Sequence, residues 1–506
     1  MALWLGWRAA QPTPPSGFTV LLDGAPKNID PRFATSDFSV KISRLVFSGL
    51  ITIDNATGEP ENDLATSIEQ VTPTHYRVEL RRDAKWHDGV PVTAADIKYT
   101  LTTLDDEEVK SPYAGLGRRI EKVEVHDTHA LSIHLKERHA PFLTDLAIGV
   151  VPKHLLEDKG RFGEDVFVGS GPYIYRGRRD NVWVSLEANQ HHHGEKAKIE
   201  NLTFRIIPDD NTRLLALMGG SGQMAQNAVS PMMLPVLQRD SDLVIESAPS
   251  FKYTYLGINV ANKKLSDPRV RAAIALGIDR DEIIKYKFDG TARKATGLLS
   301  PSHWAYSKDV QVWDRDLERA RKLLDEAGYP KPEGGGPRLE ITYKTTTNKF
   351  RRSIADLIAT QLAEIGVEVK VVAYEWGTFF GDIKAGNFEV CSLQWPSVNE
   401  PDLYSWIFHS SKIPTPENRS AGANRGRYIN PALDKLLDEG RLETDRTKRK
   451  MIYAEVQKIL STDLPYISLW HEDNILVRHK GLSGYEIVPN ARFRGLEKAA
   501  FISDQR

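Results

Sequence analysis

Residues 64–101, LATSIEQVTPTHYRVELRRDAKWHDGVPVTAADIKYTL, carry the strongest information about the fold. Within them YRVELR (76–81) alternates apolar and polar side chains, as a half-buried β-strand does. The Asp-Gly pair at 88–89 predicts a tight turn. Thr93 is placed to cap the helix that follows it, and Asp96 would lie near the positive end of that helix. The stretch therefore predicts a strand, a turn and a capped helix in close succession.

On both sides of this stretch, strand-like and helix-like segments alternate, which predicts an α/β protein. Segments 339–345, 350–366 and 367–375 have the patterns of a strand, a helix and a strand, and they predict a parallel crossover unit. Asp267 and Pro268 predict the cap and the first turn of another helix. The other predicted strands include 18–24, 130–135, 182–188, 201–207 and 253–260, and the other predicted helices include 39–50 and 209–217.

Length and composition narrow the class of protein. A chain of 506 residues is too long for one hydrophobic core, so we expect two or three lobes. The formal net charge of -1 gives no global basic field of the kind that nucleic-acid binding usually needs. The one cysteine, Cys391, excludes an internal disulfide and a zinc site built from several thiolates.

Residues 1–17 form a predicted leader or signal-peptide remnant. The apolar run at 2–7 is far too short to span a bilayer. It is followed by WRAAQPTPP, which fits either the end of a signal peptide cut near Ala10 or a flexible leader. No cysteine stands there for a lipid anchor.

The histidine run at 191–193 suggests a metal site, but three adjacent residues cannot all face inward on a strand. Metal ligands are usually gathered from separate elements. We therefore predict a polar surface turn there, and no metal or cofactor. No nucleophile elbow, zinc-protease or phosphate-loop motif stands in a suitable context, so the sequence also predicts no catalytic residues.

Trp376, Trp395 and Trp406 lie close together in a region rich in Gly, Pro and Asn. Aromatic faces in a cleft can stack on peptide groups or on sugar rings. The alternative is that these tryptophans are core residues.

The stretch 64–101 closely resembles the signature of family 5 of the bacterial extracellular solute-binding proteins, the peptide/nickel group. The similarity continues through segments 28–37, 168–175, 204–223, 255–284 and 426–440. The residues that match the signature are Trp86, His87, Asp88, Gly89, Pro91, Thr93, Ala94 and Asp96.

The resemblance implies the three-lobed periplasmic binding protein fold (type II, cluster C), in which a hinge closes the lobes around a ligand. Lobe I would comprise 18–40, 166–250 and 474–506, lobe II would be the insertion 41–165, and lobe III would be 251–473. It also implies a monomeric, extracytoplasmic protein that delivers a peptide or peptide-like solute to the permease of an ABC importer.

One position departs from the peptide binders that the chain resembles. Those proteins typically present an aspartate to the ligand's α-ammonium, three residues before an Asp-Pro pair. Here Glu400-Pro401 replaces that pair, and the corresponding position is Ser397, which is neutral and cannot balance a buried ammonium. Glu400 or Asp402 would have to supply the charge instead.

In the peptide binders that the chain resembles, the carboxylate of the peptide is often met by a basic side chain after the strand that corresponds to 340–345. Lys349, Arg351 and Arg352 offer such a side chain, and arginine can bind a carboxylate with two hydrogen bonds. The alternative is that these residues form a solvated first turn of the following helix. Together with Trp376, Trp395, Ser397, Glu400 and Asp402, the two arginines form the predicted ligand site.

Three alternatives remain open from the sequence. An oligosaccharide or other small-solute receptor would use Trp395 to stack on a sugar ring. An enzyme would need a nucleophile and a base within reach, and no motif signals such a pair. A chemosensory or signalling receptor would share the cleft and differ in its docking partner.

Overall fold

The computed structural model describes residues 16–54, 59–163, 166–416 and 422–502. Residues 1–15 of the predicted leader lie outside these ranges. Among the described residues, no helix combines the length and the apolar character that a membrane span requires. Strands and helices alternate through the described ranges, which confirms the predicted α/β class.

The strands, in chain order, are β1 Phe18–Leu22, β2 Ile51–Ile53, β3 Pro60–Asn62, β4 Ala65–Thr72, β5 His75–Leu80, β6 Ile120–Asp127, β7 Ala130–Leu135, β8 Tyr173–Arg179, β9 Trp183–Ala188, β10 Asn201–Ile206, β11 Met224–Gln226, β12 Leu243–Ala248, β13 Tyr253–Ile258, β14 Ala292–Lys294, β15 Leu339–Thr346, β16 Val367–Tyr374, β17 Val390–Trp395, β18 Tyr466–Glu472, β19 Asn474–His479, β20 Leu482–Ser483 and β21 Ala500–Phe501.

The α-helices are α1 Asp37–Val46, α2 Ala94–Thr103, α3 Ala114–Arg119, α4 Phe142–Asp145, α5 Lys153–Leu156, α6 Asp210–Met218, α7 Leu234–Leu237, α8 Pro268–Gly277, α9 Arg280–Phe288, α10 Leu317–Glu326, α11 Lys349–Ala363, α12 Trp376–Ala385, α13 Leu403–Phe408, α14 Pro431–Leu442 and α15 Arg446–Asp463. Short 3₁₀ turns occupy Pro231–Met233, Ser410–Lys412 and Phe493–Glu497.

A seven-stranded mixed sheet takes its strands from distant parts of the chain, in the order β12-β19-β11-β1-β10-β9-β8. β1 lies at its centre and pairs in parallel with both β10 and β11. β19, from near the C-terminal end of the described chain, is inserted between β12 and β11 and runs antiparallel to both.

Two further sheets form from more continuous segments. β4, β5, β7 and β6 make an antiparallel sheet whose buried face packs on α2. A six-stranded sheet has the order β14-β18-β13-β17-β15-β16. Within it β15 and β16 are parallel and are joined by α11, so the predicted crossover unit is confirmed. Separate hydrophobic clusters cover the two faces of the six-stranded sheet.

The signature loop ties the four-stranded sheet to the edge of the seven-stranded sheet. Trp86 is buried, and Gly89 has a φ of 90°, a conformation that glycine adopts without strain. The His87 backbone N–H donates to the Gly169 carbonyl at 2.8 Å, and His87 Nε2 lies 3.0 Å from the Gly171 carbonyl oxygen. Burial lowers the pKa of His87 to about 4, so its ring is neutral in this contact.

Asp96 holds the start of α2. Its carboxylate accepts hydrogen bonds from the Thr93 backbone N–H at 2.8 Å and from the Thr93 hydroxyl at 2.9 Å. Its other oxygen accepts the Lys153 backbone N–H at 2.9 Å, which fixes the segment before α5. The predicted capping by Thr93 and Asp96 is therefore confirmed, and Asp96 also links two segments that are distant in sequence.

The helix predicted at 39–50 forms two residues earlier and ends at Val46. Its N-cap is Ser36, whose hydroxyl accepts the Ser39 N–H. A contact with a distant segment ends this helix. Gly49 forms a β-bridge with Gly149, and the chain before it becomes extended. Such a long-range pairing leaves no local sequence signal.

The histidine run was predicted as a polar surface turn, and that prediction is wrong for two of its three residues. The His193 side chain is 1% exposed, and its Nε2 lies 2.9 Å from Asp63 Oδ1. His192 is half-buried, its Nδ1 lies 3.2 Å from the Ser170 carbonyl oxygen, and burial lowers its pKa to about 4. Only His191 is exposed. His193 and His192 therefore link the loop after β9 to the connection between β3 and β4 and to the turn before β8.

Replacing Asp96 with alanine should lower the free energy of unfolding by about 2–4 kcal/mol. The substitution removes the helix cap and leaves buried donors without an acceptor. Urea unfolding measures this change. Asp105→Ala is the matched control, because Asp105 is exposed and its ion pair with Arg118, at 3.5 Å, lies on the surface; its effect should stay within about 0.5 kcal/mol. Equal effects of the two substitutions would contradict the role of Asp96.

Replacing His193 with alanine should destabilise the protein by about 1–3 kcal/mol, because Asp63 would lose its buried partner. His191→Ala should change stability by no more than about 0.5 kcal/mol, since that side chain is exposed. Thermal or urea unfolding of the two variants checks the difference. A neutral His193→Ala substitution would restore the surface-turn interpretation.

Candidate ligand-binding cleft

A cavity of about 280 Å³ lies where the ends of strands from the two larger sheets face each other. Residues that follow β1, β10 and β11 line one side, and residues from β13, β17, β18 and the start of α11 line the other. Open α/β sheets commonly bind ligands outside the carboxyl ends of their parallel strands. The lining residues that the following paragraphs use are Asp23, Arg213, Lys252, Thr254, Arg351, Ser392, Gln394, Glu472 and Asp473.

Two chain connections join the two larger sheets beside this cavity. One runs from β12 to β13, and the other is the single residue Asp473 between β18 and β19. Asp473 is buried; one carboxylate oxygen accepts the Ser247 hydroxyl at 3.0 Å, and its carbonyl accepts Lys252 Nζ at 3.1 Å. Burial lowers the pKa of Lys252 to about 8, and the charge of Glu472 opposes that shift. These two hydrogen bonds therefore hold the β12–β13 connection and the β18–β19 connection together.

Arg351 and Arg352 have different surroundings, although both were predicted as site residues. Arg351 lines the cavity, and among the described residues its guanidinium has no hydrogen-bond or ion-pair partner. Arg352 does not line it; its Nε lies 3.9 Å from Asp356 Oδ2 on the exposed face of α11. Lys349 is exposed at the first position of that helix.

Strand β17 presents its side chains to two different environments because successive residues alternate between its faces. Ser392 and Gln394 line the cavity together with Arg351, and Gln394 Nε2 donates to the Thr254 hydroxyl at 3.2 Å. Cys391 and Trp395 pack into the hydrophobic cluster on the opposite face. Trp395 is half-buried, and its indole Nε1 is buried without a hydrogen-bond partner in the described part of the chain.

Trp376 and Trp395 are connected through Phe380 and Arg425, and these four side chains form one stack. The Trp376 and Phe380 rings are parallel within 10° with centroids 5.2 Å apart. The Arg425 guanidinium carbon lies 4.8 Å from the centroid of Phe380 and 5.8 Å from that of Trp395. Trp376 is 51% exposed, so the stack extends from the strand to the surface. The structure therefore brings two predicted tryptophans together through residues that sequence reasoning missed.

The neutral residue at the predicted ammonium position, Ser397, is half-buried, and its hydroxyl donates to Asn399 Oδ1 at 2.9 Å. The two acids that were expected to replace its charge are paired with arginines. Glu400 forms an ion pair with Arg449, and Asp402 Oδ1 lies 3.5 Å from Arg441 Nε. Whether any of the three contacts a ligand remains a prediction.

Trp406 lies at a second opening, of about 600 Å³, between α3 and the α13–α14 region. Asp402, Arg119, Lys412 and Arg441 line the same opening. Trp406 is therefore separated from the stack that contains Trp376 and Trp395.

Sequence reasoning missed several residues that line the cavity or the stack. Asp23, Arg213 and Lys252 approach one another only through the pairing of distant strands. Arg425 lies in the segment NRGRY, which carries no local sign that its side chain reaches Trp395. The alternation of β17 was the available signal, because it predicts which residues share a face with Trp395.

A family profile, "Bacterial extracellular solute-binding proteins, family 5 Middle", matches residues 59–414. The chain belongs to this family. It is 26% identical over 496 residues to the oligopeptide-binding protein AppA of Bacillus subtilis, covering 94% of this chain and 90% of that protein. It is 25% identical over 499 residues to the dipeptide-binding protein of Escherichia coli (strain K12), covering 92% of this chain and 91% of that one.

Solved structures of the same architecture match nearly the whole chain. NikZ from Campylobacter jejuni in complex with Ni(L-His) matches with a TM-score of 0.84 and 27% identity, covering 96% of this chain and 99% of that one. AppA from Bacillus subtilis in complex with a nonapeptide matches with a TM-score of 0.82 and 26% identity, covering 97% of this chain and 100% of that one.

These comparisons confirm the predicted family and its periplasmic binding protein fold. The protein is a solute-binding protein, the component that captures a solute for an ABC importer. Its family consists of binding proteins that act outside the cytoplasm.

The stability of the protein should depend on pH through Glu400. Burial raises the pKa of Glu400 to about 7, against the opposing charge of Arg449. In an unfolded chain this pKa is about 4.3, so the folded state binds the proton more tightly, and this contribution to stability is lost as pH rises from about 4.3 to about 7. The wild type should therefore lose stability relative to Glu400→Gln between about pH 5 and pH 8.

Urea unfolding across that pH range measures the difference. Glu107→Gln, at an exposed position, is the control and should follow the wild type at every pH. A difference between wild type and Glu400→Gln that does not change with pH would show that Glu400 does not titrate in this range.

Proposed function

We propose that the protein binds a peptide in the cleft between its two larger sheets and delivers it to the membrane permease of an ABC importer. The observation that carries this proposal is Arg351, whose guanidinium lines the cleft and has no hydrogen-bond or ion-pair partner within the described ranges. A charged side chain beside a cavity is stabilised by an anion of matching geometry, and a peptide carboxylate supplies one.

The related proteins support a peptide as the ligand. Of the similar proteins named above, two are an oligopeptide-binding and a dipeptide-binding protein, and the solved AppA structure contains a nonapeptide, whereas NikZ holds Ni(L-His). The same set gives no support to the oligosaccharide receptor that the sequence left open. Within the cleft, Thr254, Ser392 and Gln394 offer hydrogen-bonding groups suited to a peptide backbone.

We further propose that the sheets mark three lobes. Residues 18–40, 166–250 and 474–506 form lobe I around the seven-stranded sheet, 41–165 form lobe II around the four-stranded sheet, and 251–473 form lobe III around the six-stranded sheet. The β12–β13 connection and Asp473 would be the hinge that closes lobe III on lobe I. The protein would act as a monomer in the periplasm or its equivalent, without catalysis, a metal or a cofactor.

Mass spectrometry of the ligand carried through purification, followed by calorimetric titration with the peptides identified, tests the proposal. We expect Arg351→Gln to weaken peptide binding about 10- to 100-fold, because it removes a charged hydrogen bond. Arg352→Gln is the matched control, since that neighbour faces Asp356 outside the cleft. Small-angle scattering of the wild type should show a smaller radius of gyration when the peptide saturates it.

A different ligand class in the purified protein would overturn the peptide assignment. Equal affinities of the two arginine variants would remove Arg351 from the site. An unchanged radius of gyration at saturation would contradict the hinge.

A further inference from the structure

The second opening, of about 600 Å³, has walls from two distant parts of the chain. One wall comprises the end of α3 and the segment after β7, and the other comprises α13, the 3₁₀ turn after it and the end of α14. Two contacts join residues 41–165, which carry the first wall, to α14 and α15. The Ala140 backbone N–H donates to the Arg441 carbonyl at 2.9 Å, and Glu59 forms an ion pair with Arg446. The opening is separate from the cleft, because no described residue lines both.

The described walls of this opening carry more positive than negative charge. Five basic side chains line it: Arg118, Arg119 and Lys136 on the first wall, and Lys412 and Arg441 on the second. The three arginines each have a carboxylate oxygen at 3.4–3.5 Å, from Asp105, Glu137 and Asp402 respectively. The side chains of Lys136 and Lys412 have no hydrogen-bond or ion-pair partner in the described part of the chain. One unpaired ammonium group therefore belongs to each wall.

The charges of the two walls act on each other. Lys412 is half-buried, and burial lowers its pKa. The charge of Arg441, on the same wall, and that of Arg119, on the opposite wall, lower this pKa further, and nearby acidic residues oppose the shift without reversing it. Like charges that face each other across a gap repel, and a negative charge between them removes that repulsion. The first wall does not supply it, because its Glu137 already pairs with Arg119.

We propose that this opening is a second binding site, separate from the peptide cleft, and that it takes a small oxyanion with at least two negative charges, of the phosphate or pyrophosphate type. Lys136 contacts the anion from the first wall and Lys412 from the second, while Arg119 and Arg441 add positive charge on either side. A single negative charge matches only one of the two free ammonium groups, whereas a multivalent oxyanion matches both.

An anion that contacts both walls binds more tightly when the walls face each other than when they are apart. Its binding therefore stabilises the arrangement in which α3 lies opposite the α13–α14 region. This inference goes beyond the proposed function and does not depend on which solute occupies the cleft.

Calorimetric titration of the full-length protein with sodium pyrophosphate, sodium phosphate or sodium chloride, at pH 7.5 and constant ionic strength, tests the site. The variants are Lys136→Gln, Lys412→Gln, the double variant and Lys412→Arg. Lys435→Gln is the matched control, because Lys435 lies on the same helix as Arg441 but is exposed outside the opening, 3.9 Å from Glu439 Oε1. Thermal unfolding of each variant shows whether the fold is retained.

We expect the wild type to bind one pyrophosphate ion per chain and to prefer it to phosphate and to chloride. Each single glutamine substitution should weaken pyrophosphate binding about 10-fold, the effect of losing one charged hydrogen bond. The double variant should lose binding about 100-fold. Lys412→Arg, which keeps the charge, should retain most of the affinity, and Lys435→Gln should change it by less than about 2-fold.

A wild type that binds pyrophosphate no better than chloride overturns the site. Equal losses in Lys435→Gln and in the two site variants also overturn it, because they would show a general effect of net charge. An effect of only one of the two lysines, in folded variants, contradicts an anion held by both walls. Lys136 is exposed, so Lys136→Gln decides the result if Lys412→Gln does not fold.

Discussion

The close approach of residues 169–171 to the last turn of α1 is the constraint on which the relative placement of the sheets depends. A Cβ atom at Gly169 would collide with the carbonyl oxygen of Val46, so this position has no room for a side chain. The same backbone accepts and donates hydrogen bonds to His87 in the signature loop. One crossing point therefore joins the seven-stranded sheet, the helix that covers it and the insertion that carries the signature. What this point requires is that two backbone segments approach closely, which leaves no room for a side chain at Gly169.

Charge is distributed in two ways around the cleft. The two acidic residues that the sequence suggested as ligand contacts form ion pairs with arginines of α14 and α15. Glu400, for example, pairs with Arg449. Such pairs avoid an uncompensated buried charge, and they position the loop after β17. Arg351, in contrast, has no such partner among the described residues. A cation that is held in place but unpaired is a group that a closing cleft can match with a ligand.

Features with a local cause could be predicted from the sequence. Asp267 caps its helix as expected, and Asp96 bonds back to the Thr93 backbone N–H, because such side chains reach backbone groups within three residues. The crossover unit followed from the periodicity of three successive segments and from their strand-helix-strand order. Features with a distant cause could not be predicted: His193 meets Asp63 across 130 residues of sequence, and nothing near the histidine run signals that contact. The same limit holds for the candidate site: residue type alone singles out the tryptophans, but nothing near Arg425 in the sequence signals its contacts with Phe380 and Trp395, and the role of these tryptophans in ligand binding stays a prediction.

The position of β19 has a consequence for how the protein folds during synthesis. This strand lies inside the seven-stranded sheet, between β12 and β11, yet the ribosome adds it after every other strand of that sheet. Until it arrives, β12 has no partner in the sheet and β11 is paired only with β1, and their open edges can pair with other chains. Contacts between residues so far apart in sequence also form slowly. The emerging chain therefore cannot complete this sheet, or the hydrophobic clusters that Leu476 and Val477 enter, until nearly all of the protein has been synthesised.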